Sequence, residues 1–409
     1  MSPGSRAMRI AMLALGLGAA FLIVQSGLAF MLAPSAPEIA LRIDSQNGDV
    51  MASVADARFA TAKLGSEADA LTMFSRQTLA RSPYQVVAMR NIGLITAAEG
   101  NEKAALKLVR IAARMSLRDY LTHAWLLDYL FRTDRIDESV READITLKQR
   151  VETWDIIGPA LVILTRDRRI VRPLARTLAA RPYWRGMLLQ RLGTDNPHPD
   201  ASYAIYRRLK ELGAPADSDE LAPYFRSAMG KVPINQLYTE WLSLLPRGSE
   251  KTGSTLVRDG DFAGLAAPPP FNWQLFPDSD VYAERSTGPA NMGSALYAGY
   301  TGNRQVTFAS QLLVLTPGRY RMTGRGYADQ AVGPGYFAWQ LICNTPDRVT
   351  TLARRDLDLW PSAFTQYRLD FEIPAGCDQQ RLELTGAPAG PISGTIAMYA
   401  DQIAVTAIP

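Results

Sequence analysis

The sequence predicts a multidomain protein in which an N-terminal transmembrane helix precedes an α-solenoid and a C-terminal antiparallel β-sandwich of the jelly-roll type. Three observations predict this order. Residues 10–33 form an apolar run without charge, and two consecutive blocks of 34 residues, 82–115 and 116–149, share the register of their turn and packing residues. After Leu245, alternation of apolar and polar residues replaces helical periodicity. These patterns are typical of a membrane span, of stacked helix–turn–helix units and of half-buried strands.

Composition limits the function classes. The 409 residues, 47% hydrophobic and 21% charged, suit an ordinary globular chain of two or three domains. A net charge of +4 is small for this length and does not indicate nucleic-acid binding. Two histidines, His123 and His198, and two cysteines nearly exclude a His/Cys metal cluster. Without a phosphate-binding loop, dinucleotide fingerprint or nucleophile elbow, we expect no cofactor and no enzymatic activity.

The N-terminus predicts the compartment. Arg6 and Arg9 precede the apolar run and should stay in the cytoplasm, so residues 1–33 are expected to form a transmembrane signal anchor. A cleaved signal peptide is the alternative, with Gly27 and Ala29 as small residues near a cleavage site, but the run is long for one. Either interpretation exports the rest of the chain. In a bacterium, we expect a single-pass protein of the cytoplasmic membrane with its bulk in the periplasm.

Helical periodicity dominates the next part of the chain. Residues 34–64 should form a linker and a first helix, and residues 65–247 a domain of helical repeats. The best repeat resembles the tetratricopeptide repeat (TPR). Its family positions are a small residue at the helix crossing, a turn residue and two alanines, here Gly93, Gly100, Ala105 and Ala112. The second block departs from that pattern, with Leu127, Asp134 and Ser139. The resemblance implies a surface for a protein partner, and Tyr84, Met89, Thr122 and His123 are candidates for its concave face.

The C-terminal part of the sequence is predicted to form strands. A polar linker is expected at 248–255 and a β domain at 256–409. Apolar residues alternate with charged ones over 367–373, and turn signals such as Pro317-Gly318 recur at short intervals. Regular short strands of this kind indicate an antiparallel sandwich or jelly roll.

Three short segments then resemble galactose-binding-like jelly rolls, the fold of many carbohydrate-binding modules. They are 256–262 with 271–273, the turn at 315–320 and the closing strand at 401–405. Many members of that group place a glutamate of a structural calcium site where this chain has Ala263. The combination of anchor, repeats and jelly roll resembles components of bacterial surface-polysaccharide assembly.

The two cysteines, Cys343 and Cys377, both fall in the exported β domain. This confinement favours one disulfide over two buried thiols.

Arginines crowd one helical segment. Arginine side chains bind carboxylates and phosphates well, so this segment could be a docking surface for an acidic glycan, a lipid headgroup or an acidic partner. The alternative interpretation is a solvated helix face without a binding role. The partner-binding candidates are Arg166, Arg168, Arg169, Arg172 and Arg176.

Sugar rings stack on exposed aromatic side chains, so a glycan site should draw on the aromatics of the β domain. Trp273 and Trp339 are expected in the core. The carbohydrate-binding candidates are Tyr297, Tyr300, Tyr336 and Trp360.

These observations favour a non-catalytic periplasmic scaffold that holds a protein partner through its repeats and contacts the membrane through its first helix, with a glycan as a further candidate partner. A carbohydrate-binding protein acting through the jelly roll is the alternative, and a glycoside hydrolase is a distant third. A row of exposed aromatics on the jelly roll would favour sugar binding. A polar face there, with an apolar groove in the solenoid, would favour the scaffold.

Overall fold

A computed structural model gives the fold and describes residues 3–246, 255–279, 281–289, 292–302, 304–344, 348–361, 363–390 and 394–409. Side chains are described from residue 12 onward, except at position 64. The predicted linker at 248–255 lies outside these residues apart from Thr255. The chain divides into two compact units, the N-terminal unit Met1–Ile157 and the C-terminal unit Gly158–Pro409.

The N-terminal unit is helical. In chain order its described helices are α1 (Pro3–Leu32), α2 (Pro37–Ile43), α3 (Gly48–Thr61), α4 (Leu64–Arg81), α5 (Val86–Ala98), α6 (Glu102–Met115), α7 (Tyr120–Arg132) and α8 (Ile136–Gln149). Side-chain oxygens of Asn47, Asn101 and Asp119 accept backbone hydrogen bonds at the starts of α3, α6 and α7. These caps satisfy amide groups that a helix start would otherwise leave unpaired.

The 34-residue period corresponds to two helical hairpins in the same register. Helices α5 and α7 begin at residues 86 and 120, and helices α6 and α8 at 102 and 136, so each pair is offset by 34. The turn residues Gly100 and Asp134 both have positive φ, 86° and 65°. Gly93 packs so closely on α6 that an added Cβ would lie 2.7 Å from Val109 Cγ2. The repeat is therefore present, while membership of the TPR family stays a prediction.

One buried arginine ties three helices of this unit together. Arg90 on α5 is 3% exposed, and its guanidinium contacts Asp56 on α3 at 2.5 Å and Asp119, the N-cap of α7, at 3.1 Å. A buried guanidinium needs such partners, because burying an unpaired charge is costly.

The first helix continues into the folded unit. Residues Met12–Leu32 are long and apolar enough to span a bilayer. Its last turns pack on the unit, with Ala29 and Ala33 buried in one cluster with Ala40 and Val50.

The C-terminal unit combines helices and two sheets. Helix α9 (Trp154–Leu164) crosses the boundary between the units. The remaining helices are α10 (Val171–Ala179), α11 (Arg185–Thr194), α12 (Pro199–Glu211), α13 (Ser218–Ala228) and α14 (Ile234–Leu244). The strands are β1 (Gln274–Leu275), β2 (Val281–Gly288), β3 (Gly293–Tyr300), β4 (Val306–Leu313), β5 (Gly318–Ala328), β6 (Phe337–Asn344), β7 (Val349–Asp356), β8 (Thr365–Ile373), β9 (Gln380–Gly386) and β10 (Ile396–Ala407).

The strands form the antiparallel sandwich that the sequence predicts. One five-stranded sheet has the order β1-β4-β9-β6-β7 and the other has the order β2-β3-β10-β5-β8. Their inner faces enclose one core, in which Phe308, Phe337, Trp339 and Met398 are fully buried. In β8, buried residues alternate with exposed ones from Tyr367 to Ile373, as the apolar–charged alternation predicts.

Helix α14 packs against the β part of the same unit. The ring centroids of Trp241 and Tyr238 lie 5.7 Å and 5.1 Å from that of Phe271, and Trp241 Nε1 donates to the Pro268 carbonyl at 2.9 Å. The predicted border near residue 247 thus marks the change from helix to strand, whereas the compact units divide at Ile157/Gly158.

Candidate functional site

A row of aromatic side chains crosses the outer face of the sheet β2-β3-β10-β5-β8. Tyr297, Tyr399 and Tyr327 lie on the three central strands and are paired directly across them. Their neighbours Ala298, Met398 and Ala328 are completely buried. Because strand residues alternate between faces, the three tyrosines point away from the core.

The rings follow one another across the sheet. The centroids of Tyr297 and Tyr399 are 5.2 Å apart, those of Tyr399 and Tyr327 6.4 Å, and those of Tyr327 and Phe364 5.7 Å. At the other end, Tyr282 lies beside Tyr297, since a Cβ built on Gly299 would be 3.1 Å from Tyr282 Cβ and 3.4 Å from the Tyr297 hydroxyl. We call these five residues, Tyr282, Tyr297, Tyr399, Tyr327 and Phe364, the aromatic row.

The aromatic row is accessible to a ligand. The end residues Tyr282 and Phe364 are 52% and 37% exposed, and the three central tyrosines are half-buried. Half-buried rings keep a fixed orientation while one face stays open. Such a surface can accept a flat apolar face and form hydrogen bonds through the phenol hydroxyls at its edges.

The electrostatics of the row are acidic. Burial and then the charges of Asp329 and Glu284 raise the pKa of Tyr297 and of Tyr399, so both phenols stay protonated. Glu284 is paired across from Tyr297, and Asp329 directly follows β5. Arg325 lies with its guanidinium 4.5 Å from the Phe364 ring centroid and forms an ion pair with Asp401 at 2.6 Å.

Of the predicted glycan-binding residues, only Tyr297 belongs to the aromatic row. Tyr300 is wrong as a candidate, because it is 1% exposed and its hydroxyl donates to the Arg304 carbonyl at 2.9 Å inside the sandwich. Tyr336 is half-buried against the core. Trp360 is 57% exposed and lies, like Phe364, in the connection between β7 and β8, but among the described residues only Phe364 has a ring contact with the row.

Sequence reasoning missed most of the row. The predicted candidates include none of its other four members, Tyr282, Tyr327, Tyr399 and Phe364. The alternation of side chains along each strand could have indicated them, since a tyrosine next to a buried strand residue points outward.

The predicted arginine candidates form an exposed group with few shared partners. Arg168 pairs with Asp200 at 2.9 Å, and Arg169 pairs with Asp167 at 2.6 Å. The side chains of Arg166, Arg172 and Arg176 are exposed. Exposed pairs of this kind contribute little to stability. The arginines lie at the surface, and their role as a docking site stays a prediction.

Other predicted features have structural explanations. Cys343 and Cys377 form the predicted disulfide, with 5.8 Å between their Cα atoms. On the helical face, Thr122 and His123 are buried rather than available to a partner. The Asp259 carboxylate, in the segment that resembles the opening of galactose-binding-like jelly rolls, forms an ion pair with Arg285 at 3.1 Å. Within the described residues, no group of three or more His, Cys, Asp or Glu side chains could hold a metal ion.

Comparisons with known proteins concern the sheet region. No protein-family model matches the sequence, and no curated protein is significantly similar to it. Many solved structures are similar to part of this chain, and each of the following three covers 38% of it. A putative sugar binding protein from Bacteroides thetaiotaomicron is matched over 100% of its length at 10% identity and a TM-score of 0.31. TmCBM61 in complex with β-1,4-galactotriose is matched over 100% of its length at 11% identity and a TM-score of 0.26. The CBM22-2 xylan-binding domain from Paenibacillus barcinonensis Xyn10C is matched over 98% of its length at 15% identity and a TM-score of 0.26.

Proposed function

We propose that this protein binds carbohydrate through the aromatic row. The observation that carries the proposal is the unbroken line of five aromatic side chains across the sheet, one on each of β2, β3, β10 and β5 and the last, Phe364, directly before β8. Strands lie about 4.8 Å apart, so the row is roughly 19 Å long, enough to contact several successive sugar rings. Sugars offer apolar ring faces with hydroxyls around them, which matches open phenol rings with protonated hydroxyls.

The proposal is tested by removing rings from the middle of the row. The variants Tyr399→Ala and Tyr327→Ala, and the intact chain in detergent, are titrated with a panel of soluble polysaccharides by affinity electrophoresis and calorimetry. We expect each variant to lose about tenfold or more in affinity for the glycan that the intact chain binds, because central aromatic anchors dominate binding energy. Tyr84→Ala is the matched control, since Tyr84 is 86% exposed and lies in the N-terminal unit. Unchanged binding by both row variants would refute the proposal.

The same panel tests whether binding is non-catalytic, as we propose. Glu284 and Asp329 are two carboxylates beside the row, and glycoside hydrolases use a pair of carboxylates. Release of reducing ends by the intact chain, abolished in Glu284→Gln or Asp329→Asn, would identify a hydrolase instead.

We also propose that α1 remains attached and anchors the protein in a membrane with the rest of the chain exported. Supporting contacts are those of Ala29 and Ala33 with the folded unit and the hydrogen bond from Asn47 Nδ2 to Ser26 Oγ at 3.1 Å. Cleavage near Phe30 would remove the contacts of Ala29 and Ser26 and leave only those of Ala33. N-terminal sequencing of the protein from native membranes tests this, and a mature chain beginning near Phe30 would contradict it.

A scaffold role for the repeats is a second candidate. Apolar side chains shortly before α5, shortly before α7 and shortly after α8 are exposed: Tyr84 by 86%, Leu117 by 60% and Val151 by 52%. Exposed apolar residues of this kind suit a protein partner. Replacing the three residues by serine should then reduce partner recovery from membrane extracts, while the row variants should leave it unchanged.

A further inference from the structure

Among the residues that the structure describes, no cation pairs with the carboxylates beside the aromatic row. Glu284 faces Tyr297 across the β2–β3 pair. Asp329 follows Ala328, which is paired with Met398, so Asp329 lies across from Ala397, on the same face as Tyr327 and Tyr399. Both side chains are exposed, and neither has an ion pair among the residues that the structure describes.

The arginines on the strands nearest to these two carboxylates form ion pairs with other aspartates. Arg325 places two nitrogens on the two carboxylate oxygens of Asp401, at 2.9 Å and 2.6 Å. Arg285 belongs to the same strand as Glu284, but it pairs with Asp259. The surface of the row is therefore negative overall. The π faces of the tyrosines add to this, because an aromatic face attracts cations.

A negative aromatic surface discriminates among glycans by charge. A protonated amine on a sugar can pair with a carboxylate and lie over a phenol ring, whereas the carboxylate of a uronic acid is repelled by both. We propose that the aromatic row selects glycans that carry free amino sugars over neutral glycans, and that it excludes glycans rich in uronic acids. Glu284 and Asp329 are the specificity-determining residues. This inference rests on the proposed carbohydrate binding.

The test compares three oligosaccharides of equal length with the intact chain in detergent. They are a glucosamine oligomer, its fully N-acetylated form and an oligogalacturonate, each titrated by calorimetry near pH 5.5, where ordinary carboxylates are ionised. We expect the glucosamine oligomer to bind most tightly and the oligogalacturonate not to bind. Added salt should reduce the preference for the amine, because exposed charges are screened.

Charge-removing variants assign the preference to the two residues. Glu284→Gln and Asp329→Asn should each lower the ratio of glucosamine to N-acetylated affinity about two- to fivefold. Glu372→Gln is the matched control, because Glu372 is exposed on β8 of the same sheet and is paired across from Arg319. It should leave the ratio unchanged.

The outcomes separate this inference from the proposed function. If Tyr399→Ala and Tyr327→Ala weaken binding while the ratio is the same in all charge variants, glycan binding stands and the charge selection is wrong. Tight binding of oligogalacturonate, or failure of the glucosamine oligomer to bind while another glycan does, also overturns the selection. If the tyrosine variants bind every glycan like the intact chain, the proposed function itself fails.

Discussion

His123 is a single residue whose protonation should govern part of the stability of the N-terminal unit. It is 1% exposed, with Nδ1 2.6 Å from Glu142 Oε2 and Nε2 3.2 Å from the Ser116 carbonyl oxygen. Both neighbours are acceptors, so both ring nitrogens donate and the imidazole is held as a cation. Burial alone would lower its pKa, but the hydrogen bond and charge of Glu142, the Ser116 carbonyl and the charge of Asp119 raise the pKa above 6.5.

The pH dependence follows from this direction. A histidine whose pKa is higher in the folded state stabilises that state fully below its unfolded pKa, and this contribution is lost as the pH rises through the folded pKa. We expect the free energy of unfolding of the N-terminal unit, measured by urea titration, to fall from mildly acidic to alkaline pH. His123→Gln should remove that slope and cost about 1–3 kcal/mol at acidic pH.

His198→Gln is the control, because His198 is exposed and belongs to the C-terminal unit. An identical pH slope in His123→Gln and the intact chain would contradict the assignment.

The residue scale is also where sequence-based prediction was weakest. Tyr297 and Tyr300 were both proposed as glycan contacts, yet an odd separation on one strand directs them to opposite faces. Tyr399 lies in a stretch of β10 with Ala397, Met398 and Ala400 that gives no polar–apolar alternation, whereas Tyr327 continues the alternation of Arg321, Thr323 and Arg325 on β5. Their proximity to Tyr297 depends on strand pairing between residues far apart in sequence, and a sequence pattern does not specify which strands pair.

Among the elements, the helical repeat was predictable from the sequence. The period of α5–α6 and α7–α8 follows from turn residues and small packing residues, both of which are local signals. The disulfide followed from the confinement of two cysteines to one exported domain.

The close packing of α5 on α6 makes a specific prediction. Gly93→Ala places a Cβ 2.7 Å from Val109 Cγ2 and 3.3 Å from its backbone nitrogen, a contact that forces the helices apart. Overpacking of this kind costs about 1–3 kcal/mol, partly offset by the roughly 1 kcal/mol that alanine gains over glycine in a helix.

Gly65→Ala is the matched control, since a Cβ on Gly65 in α4 meets nothing within 4 Å. It should stabilise the chain by about 0.5–1 kcal/mol. Thermal unfolding of the two variants should therefore move in opposite directions, and a gain in both would mean that α5 and α6 are not in close contact at Gly93.

For the whole molecule, the change from helix to strand did not reveal how the chain divides. The polar segment near residue 247 predicts a border between an independent solenoid and an independent jelly roll. The apolar face of α14 could equally have completed the solenoid, because periodicity specifies that a helix face is buried but not what covers it. In the structure that face covers Phe271, so the last helices and the sandwich belong to one compact unit.

The contact at Trp241 makes this cooperative unit testable. Trp241 is completely buried, and it packs on Phe271 of the β part. Trp241→Ala should lower the free energy of unfolding of the C-terminal unit by about 3–5 kcal/mol, while Trp360→Ala, at an exposed tryptophan of the same unit, should change it by less than about 0.5 kcal/mol. Hydrogen exchange followed by mass spectrometry should then show faster exchange in both α14 and β4, because helix and sheet lose stability together. Faster exchange in α14 alone would mean that the sandwich unfolds as a separate body and that the border near residue 247 is a true domain boundary.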